Sequence, residues 1–294
     1  MKPPSAIPRS ATAPRRGFTL IETLMATTMS TLLVVAVLGA YAMYSRAYWR
    51  HAQLNSLQRN IRSGVDMVAR DLRSAGYGVP RPYSALDTWV SWMSGITNPV
   101  IVVQGATADD SDQLILTGVL DEPVSALSLS SSVGDTIIHV AAGTGDRFNL
   151  FDRKLLFVGQ LEHARIVSIS GDALTITASP TASGVGLKNA YPPGTPIELV
   201  SVVTYESNPS PAGFPFTPYL LRYVNQSTPP IDVAEGIAAL DIELFQVSSG
   251  ANQAVDLSLR GRTPLQDGNY THPDFGDGYR RQTLATRVFP RNLP

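Results

Sequence analysis

The fold is decided by residues 18–44, which read FTLIETLMATTMSTLLVVAVLGAYAMY. Glu22 carries the only charge in this stretch. At about 1.5 Å per residue, a helix of this length extends roughly 40 Å, enough to cross the hydrocarbon core of a bilayer, which is about 30 Å thick. The stretch therefore predicts a membrane-spanning helix.

A basic leader precedes the apolar stretch. Residues 1–17 read MKPPSAIPRSATAPRRG and contain four cations, no acid and four prolines, so no helix is expected here. By the positive-inside rule, the N-terminus stays in the cytoplasm and the residues after the helix lie outside it. The alternative is an ordinary secretory signal, which is cleaved after small residues that follow its apolar run. Gly39-Ala40 is only a weak match to such a site, and the apolar run continues past it to Tyr44, which favours a retained helix.

Residues 45–76 predict an amphipathic continuation of this helix. Apolar residues recur three and four positions apart, which is the spacing of one helical face. They are Leu54, Leu57, Ile61, Val65, Val68 and Leu72. Arginines populate the other sides, and Asp66 is expected to pair with Arg70 one turn later. Gly76 and Gly78 end the helix. The apolar face predicts docking on the chain's own sheet, with a partner helix as the alternative.

The pattern changes in residues 77–294, where short runs of β-forming residues are separated by turns rich in Gly, Pro and Ser. The predicted strands are Val100–Val103, Gln113–Thr117, Thr136–Val140, Lys154–Val158, Ala164–Ser168, Ala173–Thr177, Ile197–Tyr205, Tyr219–Tyr223, Ala239–Gln246, Val255–Leu259 and Thr283–Val288. This body is therefore predicted to be β-rich, with a β-rich insertion at about 120–200. The whole chain predicts an α+β fold in which a long N-terminal helix packs on an antiparallel β-sheet.

Composition and motifs argue against several classes of protein, namely metal-thiolate proteins, nucleic-acid binders and enzymes. The chain has 294 residues, no cysteine and a net charge of -1. The lack of cysteine excludes disulfides and thiolate metal sites, and the charge argues against binding to nucleic acid. None of the four histidines has another at the spacing of a metal motif, and no nucleophile or phosphate-binding motif appears. We therefore expect a protein that is not an enzyme, with no catalytic residue, no metal and no cofactor.

Two groups of acidic residues leave calcium binding open. They are Asp109, Asp110 and Asp112 before a predicted strand, and Asp267, Asp274 and Asp277 in a polar loop at 261–280. Neither group follows the ligand order of an EF-hand loop. Both are interpreted as solvated turn residues.

The segment RRGFTLIE, residues 15–22, resembles the type III signal of type IV prepilins and pseudopilins. In that family a membrane-embedded prepilin peptidase cuts after the glycine, which here implies cleavage between Gly17 and Phe18 and N-methylation of Phe18. The resemblance also implies that Glu22 is the assembly residue. The physics fits this role, because cleavage removes the leader's cations and creates an α-ammonium at Phe18, which can pair with Glu22 of a neighbouring subunit. A buried pair of this kind specifies register more than it adds stability.

Two further segments resemble PilW-like minor pilins. They are MVARDLRSAGY at residues 67–77 and LATRVFPRNLP at residues 284–294. The resemblance implies a minor pilin that takes part in the assembly or priming of a type IV pilus. It is implied to be a single-pass inner-membrane protein with a periplasmic body that can enter an extracellular pilus. The implied partners are prepilin peptidase, other major and minor pilins, the inner-membrane assembly platform and membrane lipid.

Two alternatives remain at this point. GspJ-like pseudopilins of type II secretion share the leader and a related RDLR segment, although they are generally shorter. A membrane-anchored adhesin or ligand-binding protein, with the β-rich insertion as its binding module, belongs to a different class and can coexist with a pilin role.

Overall fold

The computed structural model describes residues 17–83, 86–90, 93, 95–106, 110–148, 154–208, 217–225, 229–246 and 253–292. Helix α1 runs from Leu20 to Ser74, and a short helix α2 covers Leu86–Trp89. All strand pairs are antiparallel. The prediction of a long N-terminal helix with antiparallel sheets is therefore confirmed. The leader at 1–16 and Asp109 lie outside the described residues.

The strands form three sheets. The five-stranded sheet has the order β1-β2-β9-β10-β11 and contains Val100–Val103, Gln113–Gly118, Ser201–Asn208, Tyr219–Val224 and Ile231–Glu235. The six-stranded sheet has the order β3-β8-β5-β6-β7-β4 and contains Ser125–Ala126, Pro196–Leu199, Leu155–Val158, Glu162–Ser170, Ala173–Thr177 and Ile137–His139. The three-stranded sheet has the order β12-β13-β14 and contains Ile237–Gln246, Gln253–Arg262 and Arg281–Val288.

The chain divides into two compact units between Ala52 and Gln53. In the second unit, the apolar face of α1 packs into a core shared with the five- and three-stranded sheets. Five of the six predicted docking residues are buried there, namely Leu57, Ile61, Val65, Val68 and Leu72. Leu54, the first of the six, is only half-buried. The six-stranded sheet has a core of its own, built around Leu156, Ile166 and Ile197.

The prediction of one strand over Ile197–Tyr205 is wrong, because the run contains two strands in different sheets. Leu199 pairs with Leu156 of the six-stranded sheet, whereas Ser201 pairs with Gly118 of the five-stranded sheet. The backbone passes between the sheets at Val200 without a turn residue, so the apolar pattern contains no boundary. Strands β3 and β11 were not predicted; β3 has only two residues.

The predicted ion pair between Asp66 and Arg70 is also absent from the described part of the chain. Arg70 Nε instead lies 3.6 Å from Oδ1 of Asp71. Asp66 is left exposed on the outer side of the helix. Such a pair is worth only a few tenths of a kcal/mol on a helix surface, roughly 0.2–0.5, so the helix does not depend on it.

Helix α1 ends where the last residues of the chain return to it. Gly76 has φ of +82° and donates its N–H to the carbonyl of Thr117. Arg81 Nη2 and the Tyr83 hydroxyl both donate to the carbonyl of Asn292, at 3.3 and 3.2 Å. The end of the helix and the C-terminal segment are therefore held together.

We expect Gly76→Ala to lower the free energy of unfolding by about 1–2 kcal/mol from the backbone alone, because L-residues resist this left-handed conformation. A Cβ at this position would also lie 2.5 Å from the carbonyl oxygen of Asn292. Denaturant unfolding of the full chain in detergent measures the effect. Gly268→Ala is the matched control, since a Cβ there meets nothing within 4 Å. Equal stability of the two variants would contradict the account of the helix end.

Candidate assembly site

The proposed processing site lies at the exposed start of the helix. Gly17 and Phe18 precede the first helical residue, Leu20, and both are exposed. The Phe18 side chain is 86% exposed. The bond between Gly17 and Phe18 is therefore in exposed, non-helical backbone.

Thr19 and Glu22 form a reciprocal cap on the N-terminus of α1. The backbone N–H and the hydroxyl of Thr19 both donate to Oε2 of Glu22, each at 3.0 Å. In return, Glu22 donates its backbone N–H to the Thr19 hydroxyl oxygen at 3.3 Å. This is a capping box, which satisfies two backbone donors that helix geometry leaves unpaired. Sequence reasoning missed this role of Thr19, although the T-x-x-E spacing is its signature.

The cap requires a hydrogen-bond acceptor at Glu22 but does not by itself require a carboxylate. A glutamine at this position forms the same type of cap, because its amide oxygen also accepts hydrogen bonds. Capping therefore explains an acceptor at Glu22, and the positive end of the helix dipole favours a negative charge in this first turn. The second carboxylate oxygen, Oε1, accepts no hydrogen bond from any residue that the structure describes. It is available to a cation from another chain.

The first unit exposes a continuous apolar surface. Within the described residues, α1 is the one helix long and apolar enough to cross a membrane, and none of its apolar window is buried. Four of its threonine hydroxyls are satisfied internally, because those of Thr23, Thr27, Thr28 and Thr31 donate to carbonyls three or four residues earlier. Such a surface requires lipid or neighbouring apolar helices as its surroundings.

A buried ionic cluster fastens the other half of the helix to the five-stranded sheet. Asp71 is fully buried, and its Oδ2 accepts from the Tyr205 hydroxyl at 2.6 Å and from Arg222 Nε at 3.1 Å. Arg222 Nη2 also donates to Asp121 at 3.0 Å. Burial, with the negative charge of Asp71 beside it, raises the pKa of Tyr205, so the phenol stays a proton donor. Sequence reasoning missed this cluster, although Asp71 lies between the buried positions Val68 and Leu72.

The interpretation of both acidic groups as solvated turn residues is wrong for Asp112, which is buried, and for Asp267 and Asp277, which are half-buried in local contacts. Asp267 Oδ2 contacts Arg280 at 2.9 Å, and both oxygens of Asp277 contact Arg281 at 2.6 Å. Asp112 accepts backbone N–H groups from Gly105 and Ile242. Among the residues open to description, no three His, Asp or Glu side chains are placed to hold a metal ion.

Comparison with protein-family models, with curated proteins and with solved structures found no match. The function therefore has to be inferred from the chain's own residues. The features that bear on it are the exposed Gly17–Phe18 bond, the capped Glu22, the uncovered apolar helix and the buried Asp71 cluster.

Proposed function

We propose that the protein is a minor pilin that is inserted in the inner membrane, processed between Gly17 and Phe18, and assembled into a type IV pilus. The observation that carries the proposal is an uncovered apolar helix with a processing-type sequence at its start and one carboxylate, Glu22, near that end. An isolated charge in such a helix is costly unless it has a partner. Assembly of like subunits supplies both an apolar environment and a cation.

Processing supplies that cation. Hydrolysis of the Gly17–Phe18 bond consumes one water, releases the basic leader and leaves Phe18 with a protonated amine. Methylation of this amine preserves its charge. In a bundle of parallel helices, the amine of one subunit can approach the open Oε1 of Glu22 on the next. The contact is head-to-tail, so it continues into a filament and does not close into a dimer.

N-terminal sequencing tests the proposal directly. The full chain is expressed in membranes with and without prepilin peptidase, and its N-terminus is determined. We expect the chain to begin at methylated Phe18 only when the peptidase is present. A matched variant, Gly17→Val, should stay unprocessed although it alters no packed residue, since a Cβ at Gly17 meets nothing within 4 Å. A mature N-terminus after Gly39 or Ala40 would contradict the proposal and support a secretory signal.

A strain that lacks this chain separates a role in a pilus from a role in a type II secretion system. Loss of the chain from a pilus is expected to reduce piliation, whereas loss of a GspJ-like pseudopilin stops secretion and leaves pili intact. A secretion defect alone would replace the pilus proposal with the pseudopilin alternative.

The six-stranded sheet favours a second function that is compatible with the first. Its core, which includes Leu127, Leu174 and Tyr191, is separate from the core beneath α1. A sheet with a core of its own is a suitable scaffold for a binding module, as in a membrane-anchored adhesin. Substitutions confined to this sheet would support that function if they abolished adhesion to a surface and left piliation intact.

A further inference from the structure

Strand β14 forms one edge of the three-stranded sheet, which has the order β12-β13-β14. It covers the eight residues Arg281–Val288 and pairs with β13 without a register shift. On its other side, no strand in the described part of the chain is paired with it. A regular strand with unpaired backbone groups along one side is a template for a further strand.

One hydrogen bond beside β14 fixes the direction of its backbone groups. Thr263 donates its N–H to the carbonyl of Arg280 at 2.9 Å, in the register that continues from the pair Arg262 and Arg281. Hydrogen-bonded pairs alternate along an antiparallel ladder, so the even-numbered residues of β14 bind β13. The odd-numbered residues direct their N–H and C=O groups away from β13, and we call them the free edge. They are Arg281, Thr283, Ala285 and Arg287.

The other sheet edges are closed, covered or shorter. The six-stranded sheet closes on itself through the bridge between Leu127 and Val140. The edge of β12 is covered by Asp112, which donates its N–H to the carbonyl of Leu240 at 2.7 Å and accepts the N–H of Ile242 at 2.8 Å. Strands β1 and β11 have only four and five residues. Among the strands that the structure describes, β14 therefore has the longest uncovered edge.

A groove of about 320 Å³ lies between β14 and the flank of α1. Its lining residues are Gln58, Ile61, Arg62, Gln282, Thr283 and Leu284. Arg62 is exposed, is the one charged side chain in this lining, and makes no ion pair with any residue open to description. Asp66 follows one turn later on the helix and is not part of the lining. The groove therefore offers a cation and amide donors beside the free edge.

We propose that an extended segment of a different protein adds to the free edge of β14 as a fourth strand and places an acidic side chain beside Arg62. Backbone donors and acceptors at every second residue are matched by another extended backbone. An added strand lies about 4.8 Å from β14, so every second side chain enters the groove against α1. A carboxylate there pairs with Arg62. A second copy that pairs through its own β14 does not supply this carboxylate, because β14 contains no acid.

Binding of a designed peptide to the full chain in detergent tests the contact. The probe is a fluorescent peptide of about eight residues, long enough to match β14, that alternates threonine and valine, with one valine replaced by glutamate. The amides of its valine and glutamate positions are N-methylated, so that only its threonine edge can pair. We expect saturable binding by fluorescence anisotropy, with slower hydrogen exchange within β14 and no change in β1. A peptide methylated at every amide should bind at least about tenfold more weakly, because it has no N–H donors.

Proline substitutions in β14 locate the binding site. Thr283→Pro and Ala285→Pro each remove an N–H that the sheet does not use, so the fold should be retained while the probe binds at least about tenfold more weakly. Thr283→Val changes the same exposed side chain but keeps its N–H, and it should bind the probe like the original chain. Leu284→Pro removes an N–H that is bonded to β13 and should destabilise the fold in denaturant unfolding, which checks the assigned direction.

Replacement of Arg62 tests the preference for an acid. Arg62→Gln should weaken binding of the glutamate peptide by about five- to tenfold, since it removes a charge-assisted contact. A peptide with glutamine in place of glutamate should lose a similar factor with the original chain and lose nothing more with Arg62→Gln. Arg59→Gln is the matched control, because Arg59 is exposed on the same helix and lies outside the groove lining.

Three results would overturn the inference. The first is that the probe does not bind, or that it binds equally well to both proline variants. The second is that the glutamate peptide binds Arg62→Gln as tightly as the original chain. The third is a dimer of the full chain, in analytical ultracentrifugation, that Ala285→Pro abolishes, which would assign the free edge to a second copy. None of these results depends on cleavage between Gly17 and Phe18, so the proposed function is tested separately.

Discussion

Replacement of Asp71 by alanine is expected to lower the free energy of unfolding by about 3–5 kcal/mol, the cost of removing one partner from a buried ion pair. The loss is large because the Arg222 side chain is only 7% exposed and would keep its charge with Asp121 alone. The Tyr205 hydroxyl would also lose its acceptor in the core. The helix would thereby lose its polar attachment to β9 and β10 at the same time.

A graded series of variants separates charge from hydrogen bonding at this cluster. Asp71→Asn keeps an acceptor and should be less destabilising than Asp71→Ala, and Tyr205→Phe should cost about 1–2 kcal/mol for one buried hydrogen bond. Asp66→Ala, an exposed acid on the same helix, should change stability by less than about 0.5 kcal/mol. Denaturant unfolding of the full chain in detergent provides the measurement. A loss below about 1 kcal/mol for Asp71→Ala would show that the pair is not what fastens the helix.

The second large effect is expected from Glu22→Gln, which should reduce incorporation into pili by about tenfold or more, since a charge without its partner in an apolar bundle costs several kcal/mol. The substitution preserves the cap and removes the negative charge. Thr19→Ala does the reverse, because it removes the hydroxyl contacts with Glu22 and leaves the carboxylate. Its expected cost is about 1 kcal/mol of helix stability, with a modest decrease in incorporation.

Immunoblots of sheared pili, normalised to the membrane pool, measure incorporation. N-terminal sequencing of each variant shows whether processing between Gly17 and Phe18 continues, so that a failure of assembly is distinguished from a failure of cleavage. If Thr19→Ala were as damaging as Glu22→Gln, helix capping would account for the effect and the intersubunit pair would lose its support. Normal incorporation of Glu22→Gln would eliminate the charge argument altogether.

The parts of this fold that depend on local periodicity could be predicted from the sequence. The helix and strands such as Ala173–Thr177 follow from spacing along the chain. The passage of the chain from the six-stranded to the five-stranded sheet at Val200 could not be predicted. The residues on both sides of Val200 have the same apolar pattern, and the two strands differ only in their distant pairing partners. Asp71 and Tyr205 are 134 positions apart, so their contact likewise has no local signal. The Thr19–Glu22 cap was accessible to local reasoning, because its whole signature fits within four residues.

The return of the chain's last residues to the end of α1 has a mechanical consequence. Arg81 and Tyr83 bind the carbonyl of Asn292, and Arg291 donates its N–H to the carbonyl of Arg73. Force that reaches the end of α1 is therefore shared with the segment at 291–292 that is hydrogen-bonded to it. The load is thereby divided among the bonds from Arg81, Tyr83 and Arg291.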